Sequence, residues 1–131
     1  AYVRRSSRDM ESIEDEVSIR NVSKYIDDGQ PLMWTMSSTK AYNALANTMT
    51  KKRARATDPK EWRKRLRDIL RDAPELQQDR RAGHLCLIVG YNKETDEIAV
   101  SDSWGPRFEL RWITADEANA VSNGRFYIID F

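Results

Sequence analysis

The sequence is poor in several residue types, and each shortage removes a class of function. Its 131 residues hold one cysteine and one histidine, so an internal disulfide is excluded and no zinc cluster of familiar spacing is available. No apolar run approaches the roughly 18 residues needed to span a bilayer, and no membrane span is expected. The start, AYVRRSSRDM, is charged but lacks the apolar stretch that makes a signal peptide. A processed or truncated start would look the same. No Gly-x-Ser-x-Gly elbow occurs, which leaves Ser101 and Ser103 without the setting of a serine nucleophile. Charge of one sign is also missing: 22 Lys and Arg stand against 21 Asp and Glu, a net +1, so global charge selects no class of partner. The length and an apolar share of 40% fit one domain with a modest core.

What is present concentrates in GHLCLIVGY at 83–91 and IAVSDSWG at 98–105. The first run is apolar, begins after Gly83 and ends at the polar turn NKETDE, the pattern of a buried strand entering a hairpin. With the loop at about residues 92–96, antiparallel pairing brings His84, at the start of one strand, within cross-strand reach of Asp102 at the end of the other. A carboxylate accepting from a ring N–H fixes the imidazole tautomer and stabilises its protonated form, which a general base acting on a thiol requires. The alternative is a histidine satisfied by a neighbouring aspartate with no chemistry attached. Cys86 lies two residues beyond His84 on the same strand, with its side chain on the same face. A strand neighbour reaches attack geometry poorly, and free cysteine behaves as a small hydrophobe, so Cys86 is read as a core residue.

HLCLIVGYN, a short turn, then VSDSWG resembles the C-terminal half of papain-like cysteine peptidases. The Asp at 102, with GQPLMW and RWITADEA, is more similar to the bacterial branch that includes the bacteriocin-processing, double-glycine-type peptidases. The resemblance covers about residues 18–36 and 83–131. It implies that His84 is the general base and acid, that Asp102 orients it, and that Trp104 packs beside the pair and shields it from water. It implies a peptide or protein substrate and no cofactor or metal, and it points toward a bacterial envelope or secreted setting. In that family the nucleophilic Cys sits on a helix near the N-terminus, preceded by a Gln. Residues 1–12 contain neither. The expectation is therefore that the nucleophile comes from a missing N-terminal segment or a partner chain, and that the sheet, lacking its covering helix, leaves an apolar patch exposed or covered by another chain.

The rest of the chain supplies the frame. The acidic stretch from Asp9 to Glu16 reads as a loop or frayed helix. A helix follows from about Ile19 to Asp28, stopped by Gly29, and then a strand, Leu32 to Met36, begins after Pro31. Residues 39–80 read as a helical insertion. Tyr42, Leu45, Ala46 and Met49 form one apolar stripe, and DPKE at 58–61 starts a second helix with Asp58 as cap, Pro59 at its first position and Glu61 closing a capping box. Trp62, Leu66, Ile69 and Leu70 mark its inner face. Opposite lie Lys51, Lys52, Arg53, Arg55, Arg63, Lys64, Arg67 and Arg71, a basic surface suited to nucleic acid, an anionic membrane or an acidic segment. The competing reading is a solvated face softened by Glu61 and Asp68, and nucleic acid is not the expected partner. Phe108 to Ile113 reads as a strand, Thr114 with Glu117 as a capping box for a short helix stopping near Gly124, and Arg125 to Phe131 as the last strand.

The fold class is thus α+β: a mostly antiparallel half-barrel sheet of about five strands with an N-terminal helix, a two-helix insertion and a short late helix, papain-like but lacking the nucleophile-bearing helical part. Two functions remain open. One is part of a cysteine peptidase-like hydrolase, this chain alone being inactive. The other is a non-catalytic pseudo-peptidase that binds peptides or proteins.

Overall fold

The computed structural model describes residues 10–102 and 110–129. Its strands are β1 (Met10–Glu14), β2 (Leu32–Ser37), β3 (Gly83–Asn92), β4 (Glu97–Ser101), β5 (Leu110–Thr114) and β6 (Ser122–Ile129). Its helices are α1 (Ile19–Ile26), α2 (Lys40–Arg53), α3 (Pro59–Asp72) and α4 (Ala115–Val121), with a 3₁₀ turn at Arg80–Ala82. The six strands form one open antiparallel sheet in the order β1-β6-β2-β3-β4-β5.

Cross-strand partners share a face, and the pairs Trp34 with Cys86, Ile88 with Val100, Ile98 with Ile113 and Trp34 with Phe126 put the largest buried side chains on one side of the sheet. All seven are at most 1% exposed. Helix α2 covers this side: its Tyr42 meets Trp34 edge to face at 6.3 Å between ring centroids. The Thr39 side chain caps α2 by accepting from the Tyr42 N–H at 3.1 Å, and Tyr42, Leu45, Ala46 and Met49, the stripe expected from spacing, are all buried.

Four local expectations are corrected. The acidic stretch is a strand over Met10–Glu14, not a loop or helix, because its partner β6 lies more than a hundred residues away and local spacing cannot report it. Glu61 does not close a capping box. Asp58 caps α3 by accepting from the Glu61 N–H at 2.8 Å, while the Glu61 carboxylate is taken by the Thr57 hydroxyl and by Arg65 at 2.9 Å. Thr114 makes no cap either. It is still a strand residue, paired with Glu97, and its buried hydroxyl has no partner among the described residues. Gly124 does not stop α4, which ends at Val121. It adopts φ 83° inside β6, where β2 and β6 shift register between Trp34 and Met36, the positive φ that glycine supplies at a bulge.

Arg53 leaves the basic surface assigned to it. Its Nε donates to the Glu97 carboxylate at 3.2 Å and its guanidinium lies 3.8 Å over the Trp112 ring. Glu97 is fully buried, and the same Oε1 accepts from Trp62 Nε1 at 2.7 Å and Thr95 Oγ1 at 2.6 Å. This knot ties α2 and α3 to the β3–β4 hairpin. Among the described residues only Leu85 and Leu110 are large, apolar and exposed, each at 40%, on the sheet face away from α2. No described helix is long and apolar enough to cross a membrane.

Candidate active site

Strand alternation brings the candidate residues together at one end of the helix-covered face. His84 opens β3 and Cys86 follows two residues later on the same side, while Asp102 comes directly after β4, whose last residue, Ser101, pairs with Leu87. His84 therefore reaches Asp102 on the diagonal, with Nε2 3.5 Å from Oδ1. The two side chains are 39% and 33% exposed, open enough to meet a substrate.

The other carboxylate oxygen of Asp102 is held by a residue the sequence did not single out. Arg111 donates to Oδ2 from Nε at 3.0 Å and from Nη2 at 2.5 Å. Its Nη1 donates to Asn47 Oδ1 at 3.2 Å, and its guanidinium lies 5.7 Å from the Tyr42 ring centroid. Asp102 is thus clamped between an imidazole and a guanidinium, and the guanidinium is braced by two residues of α2. The signal was available in β5: Arg111 and Ile113 alternate onto the inward side, and an arginine at an inward strand position needs a buried partner. Asn47 gave no comparable signal, since it lies off the apolar stripe of α2.

Cys86 is fully buried, and its thiol donates to the Trp34 carbonyl with Sγ 3.7 Å from the oxygen. Burial pushes the thiol well above its ordinary range; the Asp102 carboxylate pushes the same way and Arg111 opposes both. A thiol so held is neither accessible nor ionised, and so does not meet the needs of a nucleophile. Burial likewise raises Tyr42, with Cys86 and Asp102 adding to it and Arg111 opposing, and its hydroxyl has no partner among the described residues. Trp104, expected to shield the pair, lies outside the described residues, as does Ser103.

The arrangement can do one thing well. With Nε2 turned to Asp102, the imidazole has Nδ1 to offer to a proton donor or acceptor, and Asp102 cannot rotate away because Arg111 fixes its far oxygen. Among the described residues no three His, Cys, Asp or Glu side chains converge to hold a metal ion.

A family model described as Peptidase_C39 like family matches residues 1–129. No curated protein and no solved structure matches.

Proposed function

The chain belongs to the Peptidase_C39-like family, and from that premise we propose that it carries the base and its orienting carboxylate of a cysteine peptidase-like site whose thiol comes from outside these 131 residues. The observation that carries the proposal is the His84–Asp102 approach of 3.5 Å with Arg111 on the far oxygen. His84 Nδ1 takes the thiol proton as sulfur attacks the peptide carbonyl, and the imidazolium then returns the proton to the leaving amine as the C–N bond breaks. Water, deprotonated by the same imidazole, releases the acyl group. Asp102 holds the ring through both steps, and Arg111 holds Asp102. The source of the thiol is a segment N-terminal to Ala1 or a second chain.

The test is labelling with an epoxysuccinyl probe. This chain alone stays unlabelled. The protein carrying the sequence upstream of Ala1 is labelled at a cysteine outside the 131 residues, and His84→Ala abolishes that labelling. Labelling that survives His84→Ala refutes the role given to His84, and His84-dependent labelling of Cys86 refutes the external thiol.

The second reading, a pseudo-peptidase that binds peptides or proteins without cleaving them, is favoured by one observation: the single thiol in the sequence is buried against the Trp34 carbonyl. Peptide binding that is unchanged in His84→Ala, with no labelling of the longer protein, would select it.

A further inference from the structure

Helix α3 sorts its side chains into three sectors. At 100° per residue, Trp62, Leu66 and Ile69 turn inward, and the first two are buried. Glu61, Arg65, Asp68 and Asp72 fall on a second sector, where Arg65 pairs with Glu61 at 2.9 Å. The third sector holds only cations: Lys60, Arg63, Lys64, Arg67 and Arg71. Of these, Arg71 leans to Asp68 at 3.3 Å and Asp72 at 3.6 Å. The other four are exposed and form no ion pair among the described residues. Glu61 and Asp68, which the sequence offered as neutralising neighbours, are spent on Arg65 and Arg71. A mixed solvated face would interleave signs; here each cation at i meets another at i+3 or i+4, an arrangement that destabilises a helix.

We propose that this sector is a binding site for a compact anion bearing two or more phosphate groups. Lys60, Arg63, Lys64 and Arg67 by themselves line a depression of about 270 Å³, the scale of a small oligophosphate. On one flank Arg63 and Arg67 continue, with Lys93, into a second cleft of about 390 Å³ whose far wall carries Glu94, Asp96, Asp116 and Glu117. That acidic wall repels a long polyanion laid across the ridge and leaves room for a short one seated among the four cations. Two arginines supply planar, two-pronged contacts to phosphate oxygens and the lysines supply point charges. The site stands apart from His84, because α3 packs against the β3–β4 turn while His84 opens β3 some nine residues earlier, roughly 30 Å at ~3.3 Å per residue. Its failure therefore leaves the proposed function untouched.

Calorimetric titration of the whole chain with sodium tripolyphosphate at about 50 mM salt tests the site, alongside vesicles carrying a bisphosphorylated inositol lipid. Binding of tripolyphosphate that weakens by about tenfold or more on raising salt to about 200 mM, and by a similar factor in Arg63→Glu/Arg67→Glu, supports a soluble ligand. Binding to the vesicles alone with the same variant dependence supports a lipid headgroup. The charge-matched control Lys24→Glu/Lys40→Glu, on α1 and at the start of α2, changes either affinity by less than about twofold. The proposal is overturned by no binding to either probe, by equal losses in the two double variants, or by a short single-stranded DNA that outcompetes tripolyphosphate. Circular dichroism of each variant shows that the exposed substitutions leave the fold intact.

Discussion

Replacing Arg53 by Met costs several times more stability than replacing Glu97 by Gln, although each change removes one partner of the same ion pair. Glu97 is fully buried and gathers three donors on Oε1, while Oε2 has no partner among the described residues. Removing Arg53 strips the counter-charge from a buried carboxylate, a change worth about 3–5 kcal/mol for a fully buried pair. Arg53 itself is a quarter exposed, so about 2–4 kcal/mol is expected after solvent screening, including about 0.5–1 kcal/mol for the lost stacking on Trp112. Glu97→Gln keeps an oxygen for the three donors. Each bond weakens from the charged to the neutral range, about 1 kcal/mol apiece. Against that, the substitution removes the several kcal/mol penalty of burying a charge. The net cost is about 0–1.5 kcal/mol. The double variant costs less than the sum of the two single variants, a coupling of about 2 kcal/mol. Urea unfolding followed by tryptophan fluorescence measures all four proteins, urea being preferred because an ionic denaturant screens the pair. Equal costs for the two single variants, or additivity in the double, would refute the reasoning.

Three further outcomes are expected. Burial raises both the Cys86 thiol and the Tyr42 phenol, so the folded state holds these protons more tightly than the unfolded chain does. The resulting stabilisation is complete at neutral pH and drains as pH rises past the ordinary thiol value of about 8.5 and then the phenol value of about 10, by about 1.4 kcal/mol per pH unit per group. Urea midpoints that stay flat to about pH 10.5, or the same slope in Cys86→Ala, would contradict this. Arg111→Met destabilises by about 1–2 kcal/mol by leaving the one-third-exposed Asp102 without its clamp, and Arg111→Lys restores only part because a point charge cannot hold Asp102 and Asn47 together; thermal unfolding of the pair tells them apart. Gly124→Ala meets no steric obstacle, since nothing lies within 4 Å of an added Cβ. It costs about 1–2 kcal/mol through the positive φ alone, whereas Gly83→Ala changes stability by less than about 0.5 kcal/mol.

The pair at the centre of the proposed site was legible because His84 and Asp102 are joined by one short hairpin, so register alone brings them together. The α2 stripe was legible from its own helical spacing, and the Asp58 cap because its partner, the Glu61 N–H, lies three residues on. Misreadings fell where a local signal competed with a distant one. Thr114 and Gly124 carry the residue types of a helix start and stop, yet pairing with Glu97 and with β2 assigns them to strands. Arg53 looked like one more surface cation until the buried Glu97, more than forty residues away, claimed it. β1 was invisible because its strand partner among the described residues is the distant β6.

That last pairing governs the order in which the sheet can be made. β6 comes last in chain order among the described strands, yet it lies between β1 and β2, so these two stay apart until residues 122–129 have left the ribosome. Until then β1 has no neighbour among the described strands, and β2 exposes one row of unpaired backbone groups. Closure of the sheet is therefore a late, long-range event in the life of the chain, and a stalled or prematurely ended copy presents a sticky edge rather than a smaller folded protein.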